Sequence, residues 1–139
     1  MRTMAKEIAI QGGCLCGDLR YASHAPPLNA GYCHCRLCQR SSGAPVLAWV
    51  SFPADRFAYP KGEPKIFQSS PRGQREFCGT CGTQIAYRET EPTVTVDVNL
   101  ATLDAPESVE PRCHIWTDSR ISWFDTADRL PRYAEGEPD

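Results

Sequence analysis

The stretch "GYCHCRLCQRSSGAP", residues 31–45, holds three closely spaced cysteines: Cys33, Cys35 and Cys38. Three thiols cannot all pair as disulfides, and they are one ligand short of a closed tetrahedral zinc site. A zinc ion with three protein ligands keeps its fourth position for water or substrate, as catalytic zinc does. This stretch therefore indicates a metal site that is open to a small molecule.

Four further cysteines form two pairs, Cys14 and Cys16 in "GGCLCG" and Cys78 and Cys81 in "CGTCGT". The second pair is typical of a zinc knuckle, in which glycines permit a positive φ and leave backbone N–H groups free to bond the sulfurs. We expect the first pair to lie on one side of an extended segment, because side chains alternate along a strand. Together the two pairs supply the four thiolates of a structural zinc site.

The composition favours a cytoplasmic protein whose thiols stay reduced. A single domain of 139 residues can bury a core without disulfides, so its eight cysteines are better explained as metal ligands or catalytic groups. No segment approaches the ~20 apolar residues of a membrane helix, and the N-terminus lacks the apolar core of a signal peptide. The net charge of −2 argues against a nucleic-acid partner, which needs a basic face.

Hydrophobic patterning predicts an all-β fold of antiparallel sheets and hairpins with little helix. Prolines and glycines punctuate the chain and leave little room for a long helix. Runs of alternating or β-branched residues predict strands over residues 6–10, 18–22, 45–52, 64–69, 75–77, 84–89 and 93–100. A glycine-rich turn is expected between the first two strands, and the chain from residue 113 is expected to wrap around the sheets with one helical turn.

Several residues near these clusters allow two interpretations. Alternation along the chain turns His34 away from the metal, so we expect a hydrogen-bonded histidine. Cys113 is either buried as a small hydrophobe or a fourth ligand that closes the second site. A closed site would make the protein a non-catalytic, zinc-stabilised binding module. His114 is expected to be structural, with a role in orienting a ligand or moving a proton as the alternative. The tryptophans are expected in the core: Trp49, Trp116 and Trp123.

The order C-x-C, C-H-C-x-x-C and C-x-x-C-G resembles the glutathione-dependent formaldehyde-activating enzyme family (the GFA domain). The resemblance rests on "GGCLCG", "CHCRLCQRSSGAP", "FCGTCGT" and "HIWTDSRISW", and it extends from Gly12 to about Tyr133. It implies one GFA-like domain over residues 1–139, with its core at about residues 12–133 and a zinc-bound fold of the β-tent type. It also implies two Zn²⁺ ions per chain. The structural ion would be held by Cys14, Cys16, Cys78 and Cys81, and the catalytic ion by Cys33, Cys35 and Cys38.

The implied activity is that of a carbon–sulfur lyase that forms S-hydroxymethylglutathione from glutathione and formaldehyde. Zinc suits it either by deprotonating the incoming thiol or by polarising the aldehyde oxygen. Glutathione is anionic, so a cationic group must bind its carboxylates; Arg36 and Arg40 are the first candidates, followed by Arg72 and Arg75. Ser41 and Ser42 are expected to form a turn. A relative that uses another thiol or aldehyde, or only carries a thiol, fits the same residues.

Overall fold

A computed structural model of the chain describes residues 9–138, and most of its regular structure is β-strand. The strands are β1 (Ile10–Gly13), β2 (Arg20–Ser23), β3 (Asn29–Cys33), β4 (Leu47–Pro53), β5 (Phe57–Lys61), β6 (Lys65–Ser70), β7 (Gly73–Phe77), β8 (Gln84–Glu89), β9 (Thr95–Asn99) and β10 (His114–Ile115). One α-helix, α1 (Arg36–Ser42), and short 3₁₀ turns complete the described part. The all-β prediction is therefore confirmed.

The strands form two sheets of unequal size. The small sheet has the order β1-β2-β5, and the large sheet has the order β10-β3-β4-β9-β8-β7-β6. All pairs are antiparallel except β10 with β3, which run parallel at the edge of the large sheet. The C-terminal segment thus joins the large sheet beside the strand that leads into the first cysteine cluster.

A hydrophobic core packs against one face of the large sheet. Val50, Phe52, Val96 and Val98 are completely buried there, and Tyr21 of the small sheet belongs to the same cluster. These side chains alternate with residues on the opposite face because successive side chains in a strand point to opposite sides. The opposite face is consequently free to carry polar and aromatic groups, and it does so around the second cysteine cluster.

The predicted strands are found, with changes at their ends. The strand predicted over residues 84–89 is confirmed with the same bounds. Residues 1–8 lie outside the described part, so most of the strand predicted over residues 6–10 lies there too. Gln11–Gly13 were expected in a turn, yet they pair with β2. Gly12 permits this, because a Cβ there would lie 2.3 Å from the Tyr21 hydroxyl.

Three strands, β3, β5 and the two-residue β10, and the helix had no clear signal in the sequence. Strand β3 reads as "NAGYC" and β5 as "FAYPK", and neither shows a simple alternation. Helix α1 begins at a cysteine, since Cys35 is its N-cap and accepts a hydrogen bond from the Cys38 N–H. It ends at Gly43, whose φ of 70° closes the helix in the left-handed conformation. A cysteine cap explains why the usual Ser, Thr, Asp or Asn start signal is missing.

The buried pair of Glu76 and Arg88 allows a test of the packing. Glu76 also accepts a 2.7 Å hydrogen bond from the Tyr59 hydroxyl, and its side chain is 3% exposed. We expect Glu76→Gln to lower the free energy of unfolding by about 3 kcal/mol, because Arg88 keeps a partly buried charge without its partner. Asp104→Asn, which breaks the exposed pair with Arg20, should cost at most about 1 kcal/mol. Urea unfolding measures both, and equal losses would contradict this account.

Candidate metal centres and the adjoining cavity

Two groups of cysteine sulfurs converge within the described residues, and each can hold a metal ion. The first group is Cys14, Cys16, Cys78 and Cys81, whose ligand atoms all lie within 4.8 Å of one another. Cys14 Sγ and Cys16 Sγ are 3.6 Å apart, and Cys16 Sγ and Cys78 Sγ are 3.8 Å apart. These separations match the ~3.8 Å edge of a tetrahedron with zinc–sulfur bonds of about 2.3 Å. The donor set therefore fits zinc.

Two tight turns bring this first group together. The turn after β1 is closed by the Gly17 N–H, which donates to the Cys14 carbonyl. The turn between β7 and β8 is closed by the Gly82 N–H, which donates to the Cys78 carbonyl. Leu19 N–H and Cys81 N–H donate to the sulfurs of Cys14 and Cys78. Thus Cys14 and Cys16 lie in a turn, and the expectation that they lie on an extended segment is wrong.

A positive φ was expected at both glycines of the zinc knuckle, Gly79 and Gly82, and only one of them has it. Gly82, directly after Cys81, has a φ of 79°, which is easily reached only without a side chain. Gly79, after Cys78, does not have a positive φ; a Cβ there would instead lie 2.9 Å from the Lys65 side chain. One glycine therefore serves the turn, and the other makes room for a neighbour.

The second group consists of Cys33, Cys35 and Cys38, whose sulfurs also lie within 4.8 Å of one another. Cys33 ends β3, Cys35 caps α1, and Cys38 lies in the first turn of the helix. A strand end and a helix start thus present three sulfurs to one point. Hydrogen bonds from the side chains of Cys33 and Cys38 are the main interactions that lower the pKa of Cys35 to about 2. The backbone N–H of Cys38 and the Arg75 guanidinium have smaller effects in the same direction.

His34 turns away from this group into a chain of buried hydrogen bonds. Its Nε2 lies 2.8 Å from His114 Nδ1, and His114 Nε2 lies 3.1 Å from both Asp128 carboxylate oxygens. Hydrogen bonding from Thr126 and the Leu130 N–H, with a further contribution from His114, keeps the pKa of Asp128 well below its usual range. An ionised Asp128 only accepts, so His114 donates to it and accepts from His34. The expected structural roles of both histidines fit this chain, which fixes the Cys33–Cys35 segment to the C-terminal residues.

Cys113 is buried outside both groups. It is 2% exposed, and its sulfur lies 4.0 Å from an oxygen of the Glu137 carboxylate. Its sulfur packs against Gly31, where an added Cβ would lie 2.9 Å from it. The prediction that Cys113 is buried is therefore confirmed, and its sulfur is not among those that converge in the second group.

A cavity of about 420 Å³ adjoins the second group. Its wall is mostly apolar and aromatic. The lining includes all three sulfur-bearing residues of the group and Arg36, Leu37, Leu47, Trp49, Arg75, Tyr87, Asp97, Asn99, Ile115, Trp116 and Ser119. The volume lies within the range of small-molecule sites, which are usually apolar with a few placed polar groups. A small molecule in this cavity would be in contact with the sulfur group.

A comparison with protein families identifies the chain. The family model described as "Glutathione-dependent formaldehyde-activating enzyme" matches residues 9–119. The chain belongs to this family. Its fold is also similar to a crystal structure of a Rhodobacter sphaeroides protein, with a TM-score of 0.58 and 24% sequence identity. That similarity covers 74% of this chain and 93% of the other chain.

In this member of the formaldehyde-activating family, the predicted arginines lie at different places. Arg36 lines the cavity, whereas Arg40 lines a neighbouring cavity that contains none of the metal-site cysteines. Arg75 lines both cavities and is buried. Arg72 is exposed on the turn before β7. Ser41 and Ser42 donate to the Cys38 carbonyl at the end of the helix.

The prediction that the tryptophans lie in the core is wrong. Trp123 is 75% exposed, and Trp116 is 39% exposed. Trp49 and Trp116 line the cavity instead. Trp116 has a φ of 58°, the left-handed conformation that bulky residues rarely adopt. That Trp49 and Trp116 line a cavity could not be predicted, because hydrophobicity alone does not distinguish a core residue from a residue of a cavity wall.

Within residues 9–138, none of the helices has the length and apolar character needed to cross a bilayer.

Metal analysis of purified variants tests the two groups. We expect wild type to hold two zinc ions per chain, one for each sulfur group. Cys78→Ser should lose the first ion and unfold at a much lower temperature, because binding energy at a four-thiolate site contributes to folding. Cys35→Ser should lose only the second ion. Cys113→Ser, the matched control, should keep both. Loss of the second ion from Cys113→Ser would contradict the assignment.

Proposed function

We propose that this chain is a zinc-dependent carbon–sulfur lyase of the formaldehyde-activating type, which adds glutathione to formaldehyde. One observation carries the proposal: the sulfurs of Cys33, Cys35 and Cys38 meet at the wall of a cavity, and no fourth protein ligand joins them among the described residues. The family assignment supports the same chemistry. In this proposal one zinc at Cys14, Cys16, Cys78 and Cys81 is structural, and one at the three-sulfur group serves catalysis.

The second sulfur group fits a zinc ion with an open position. Three sulfurs within 4.8 Å of one another match the three protein ligands of a catalytic site. A zinc ion bound there would favour the thiolate form of an incoming thiol and would polarise an aldehyde oxygen. The chain itself supplies the three ligands, holds them in place through the helix cap and the histidine chain, and provides a partly apolar enclosure.

The reaction in this proposal is an addition. The thiol sulfur of glutathione forms a bond to the formaldehyde carbon, the carbon–oxygen π bond breaks, and the oxygen takes the proton that the thiol has lost. No oxidant or reductant is needed. The cavity wall, with Leu47, Ile115 and Trp116, excludes part of the water that would compete for the aldehyde. Preorganised donors act more strongly in such a partly dry site than in water.

The size and character of the cavity also favour a second candidate within the same chemistry. Formaldehyde needs little of a volume of about 420 Å³, and apolar walls can accept a larger aldehyde or a less polar thiol. The same residues would then catalyse the addition of that pair. We further propose that the chain acts as a single domain in the cytoplasm, on small molecules and without a nucleic-acid or membrane partner.

Exchange spectroscopy tests the reaction. Carbon-13 NMR should show faster exchange between free formaldehyde and its glutathione adduct when the zinc-loaded protein is present. The spontaneous addition gives the baseline, so only the added rate counts. We expect this added rate to fall to the baseline in Cys35→Ser and to persist in Cys113→Ser.

If the zinc-loaded wild type leaves the exchange rate at the baseline, formaldehyde is not its aldehyde. Repeating the measurement with larger aldehydes would then separate the second candidate from a protein that only binds.

Cobalt substitution tests whether the second site is open. Cobalt bound by thiolates absorbs visible light, and its spectrum changes with the ligand set. We expect glutathione to change the spectrum of the cobalt-loaded protein, because its sulfur would enter the fourth position. S-methylglutathione, which has no free thiol, should leave it nearly unchanged. A spectrum unaffected by glutathione would mean that the site is closed.

A further inference from the structure

Among the described residues, Arg75 is a buried cation without a carboxylate partner. It is 8% exposed, and within residues 9–138 none of its contacts is an ion pair with Asp or Glu. The neighbouring partly buried arginine, Arg88, is paired with Glu76 at 2.7 Å. Charged side chains are rarely buried unless they are paired, because burial removes them from water. An unpaired buried cation beside a cavity is therefore a candidate for ligand binding.

The register of the large sheet explains why Arg75 stays unpaired. Arg75 on β7 lies opposite Tyr87 on β8, and Tyr87 lies opposite Asp97 on β9. Tyr87 therefore separates the two charged residues by two strand spacings, roughly 9–10 Å. Asp97 instead accepts a 2.6 Å hydrogen bond from Ser51. The cation and the carboxyl group thus lie at different parts of the same cavity wall.

The contacts of Arg75 hold it next to the sulfur group. Its guanidinium carbon lies 5.1 Å from the centre of the Tyr87 ring, a separation at which a cation and a ring attract each other. Its Nη2 lies 4.0 Å from Cys38 Sγ. These two contacts orient the planar head. Among the residues that the structure describes, Cys38 Sγ is the one acceptor that its five N–H donors reach.

A second donor in the same cavity also lacks an acceptor. The indole Nε1 of Trp49 is buried and has no hydrogen-bond partner in the described part of the chain, and Trp49 lines the cavity with Arg75. Buried donors are nearly always satisfied in folded proteins. An unsatisfied indole N–H beside a guanidinium without a carboxylate partner indicates a ligand that carries anionic or strongly accepting oxygens.

We propose that Arg75 binds a carboxylate of the thiol substrate in this cavity. This inference rests on the proposed function for the thiol, and it gives to Arg75 the role that the sequence suggested first for Arg36 and Arg40. Both helix arginines are exposed, so water and salt screen them. Arg36 already donates to Gln39 within the helix. Arg75 is buried, oriented and next to Cys38, so a carboxylate bound there keeps the rest of the thiol close to the sulfur group.

Direct binding separates this role from the reaction. S-methylglutathione keeps the carboxylates of glutathione but has no thiol for the metal, and its dimethyl ester lacks the negative charges. Calorimetric titration of the zinc-loaded wild type should show about 10- to 100-fold tighter binding of the acid than of the ester, as expected for one charge-assisted contact. Arg75→Gln should reduce this ratio to near one. Arg129→Gln makes the same charge change at an exposed residue outside the cavity, and it should keep the wild-type ratio.

Each other outcome has a definite meaning. If Arg75→Gln weakens the acid and the ester equally, Arg75 supports the sulfur group or the fold, and the proposal is wrong. The same holds if the ratio is unchanged or if the wild type binds neither compound. Metal content and thermal unfolding show whether Arg75→Gln is folded; if it is not, Arg75→Lys replaces it and should lower the ratio through loss of the planar fork.

Activity then distinguishes this proposal from the proposed function. With 2-mercaptoethanol, a thiol without a carboxylate, Arg75→Gln should lower the exchange rate far less than it does with glutathione, for which the KM should rise. A wild type that binds S-methylglutathione through Arg75 but does not accelerate exchange would contradict the lyase reaction alone. A wild type that accelerates exchange with an unchanged acid-to-ester ratio in Arg75→Gln would contradict the role of Arg75 alone.

Discussion

The convergence of two cysteine-bearing turns is the constraint on which the rest of this structure depends. One turn follows the first strand of the small sheet, and the other joins two strands of the large sheet. Their four sulfurs lie within 4.8 Å of one another, although Cys14 and Cys81 are far apart in the sequence. Closing so long a loop has an entropic cost, and a metal held by four sulfurs can offset that cost. Tyr21 of the small sheet and the buried valines of the large sheet belong to one core, so apolar packing also connects the two sheets.

The second sulfur group is built differently, because its three cysteines are neighbours in the sequence. A strand end supplies Cys33 and a helix start supplies Cys35 and Cys38, so local structure alone brings them together. What the tertiary fold adds is the surroundings. The C-terminal segment fixes His34 through His114, and the outer face of the large sheet supplies Arg75 and Tyr87. A local ligand set is thus placed against a wall assembled from distant parts of the chain.

This difference explains what could be predicted from the sequence. Metal-ligand spacing is a local property, so both cysteine groups and the all-β class could be recognised from short motifs. The burial of Cys113 could also be anticipated from the ordinary behaviour of a lone cysteine. The cap of α1 could not, because a cysteine replaces the usual capping residues there. The positions of Arg75, Trp49 and Trp116 depend on sheet register and strand order, and neither is encoded in any short stretch. The cavity could therefore not be predicted from the sequence.

At Trp116 the side chain forms part of the cavity wall, whereas the backbone conformation lowers the stability of the chain. Its left-handed backbone costs a residue with a side chain roughly 1–2 kcal/mol, and a glycine would adopt the same conformation freely. The hydrogen bond from the Trp116 N–H to the Glu135 carbonyl holds the residue in this conformation. A glycine would relieve the strain and remove one side of the enclosure at the same time. Selection for thermostability alone would therefore tend to open this cavity.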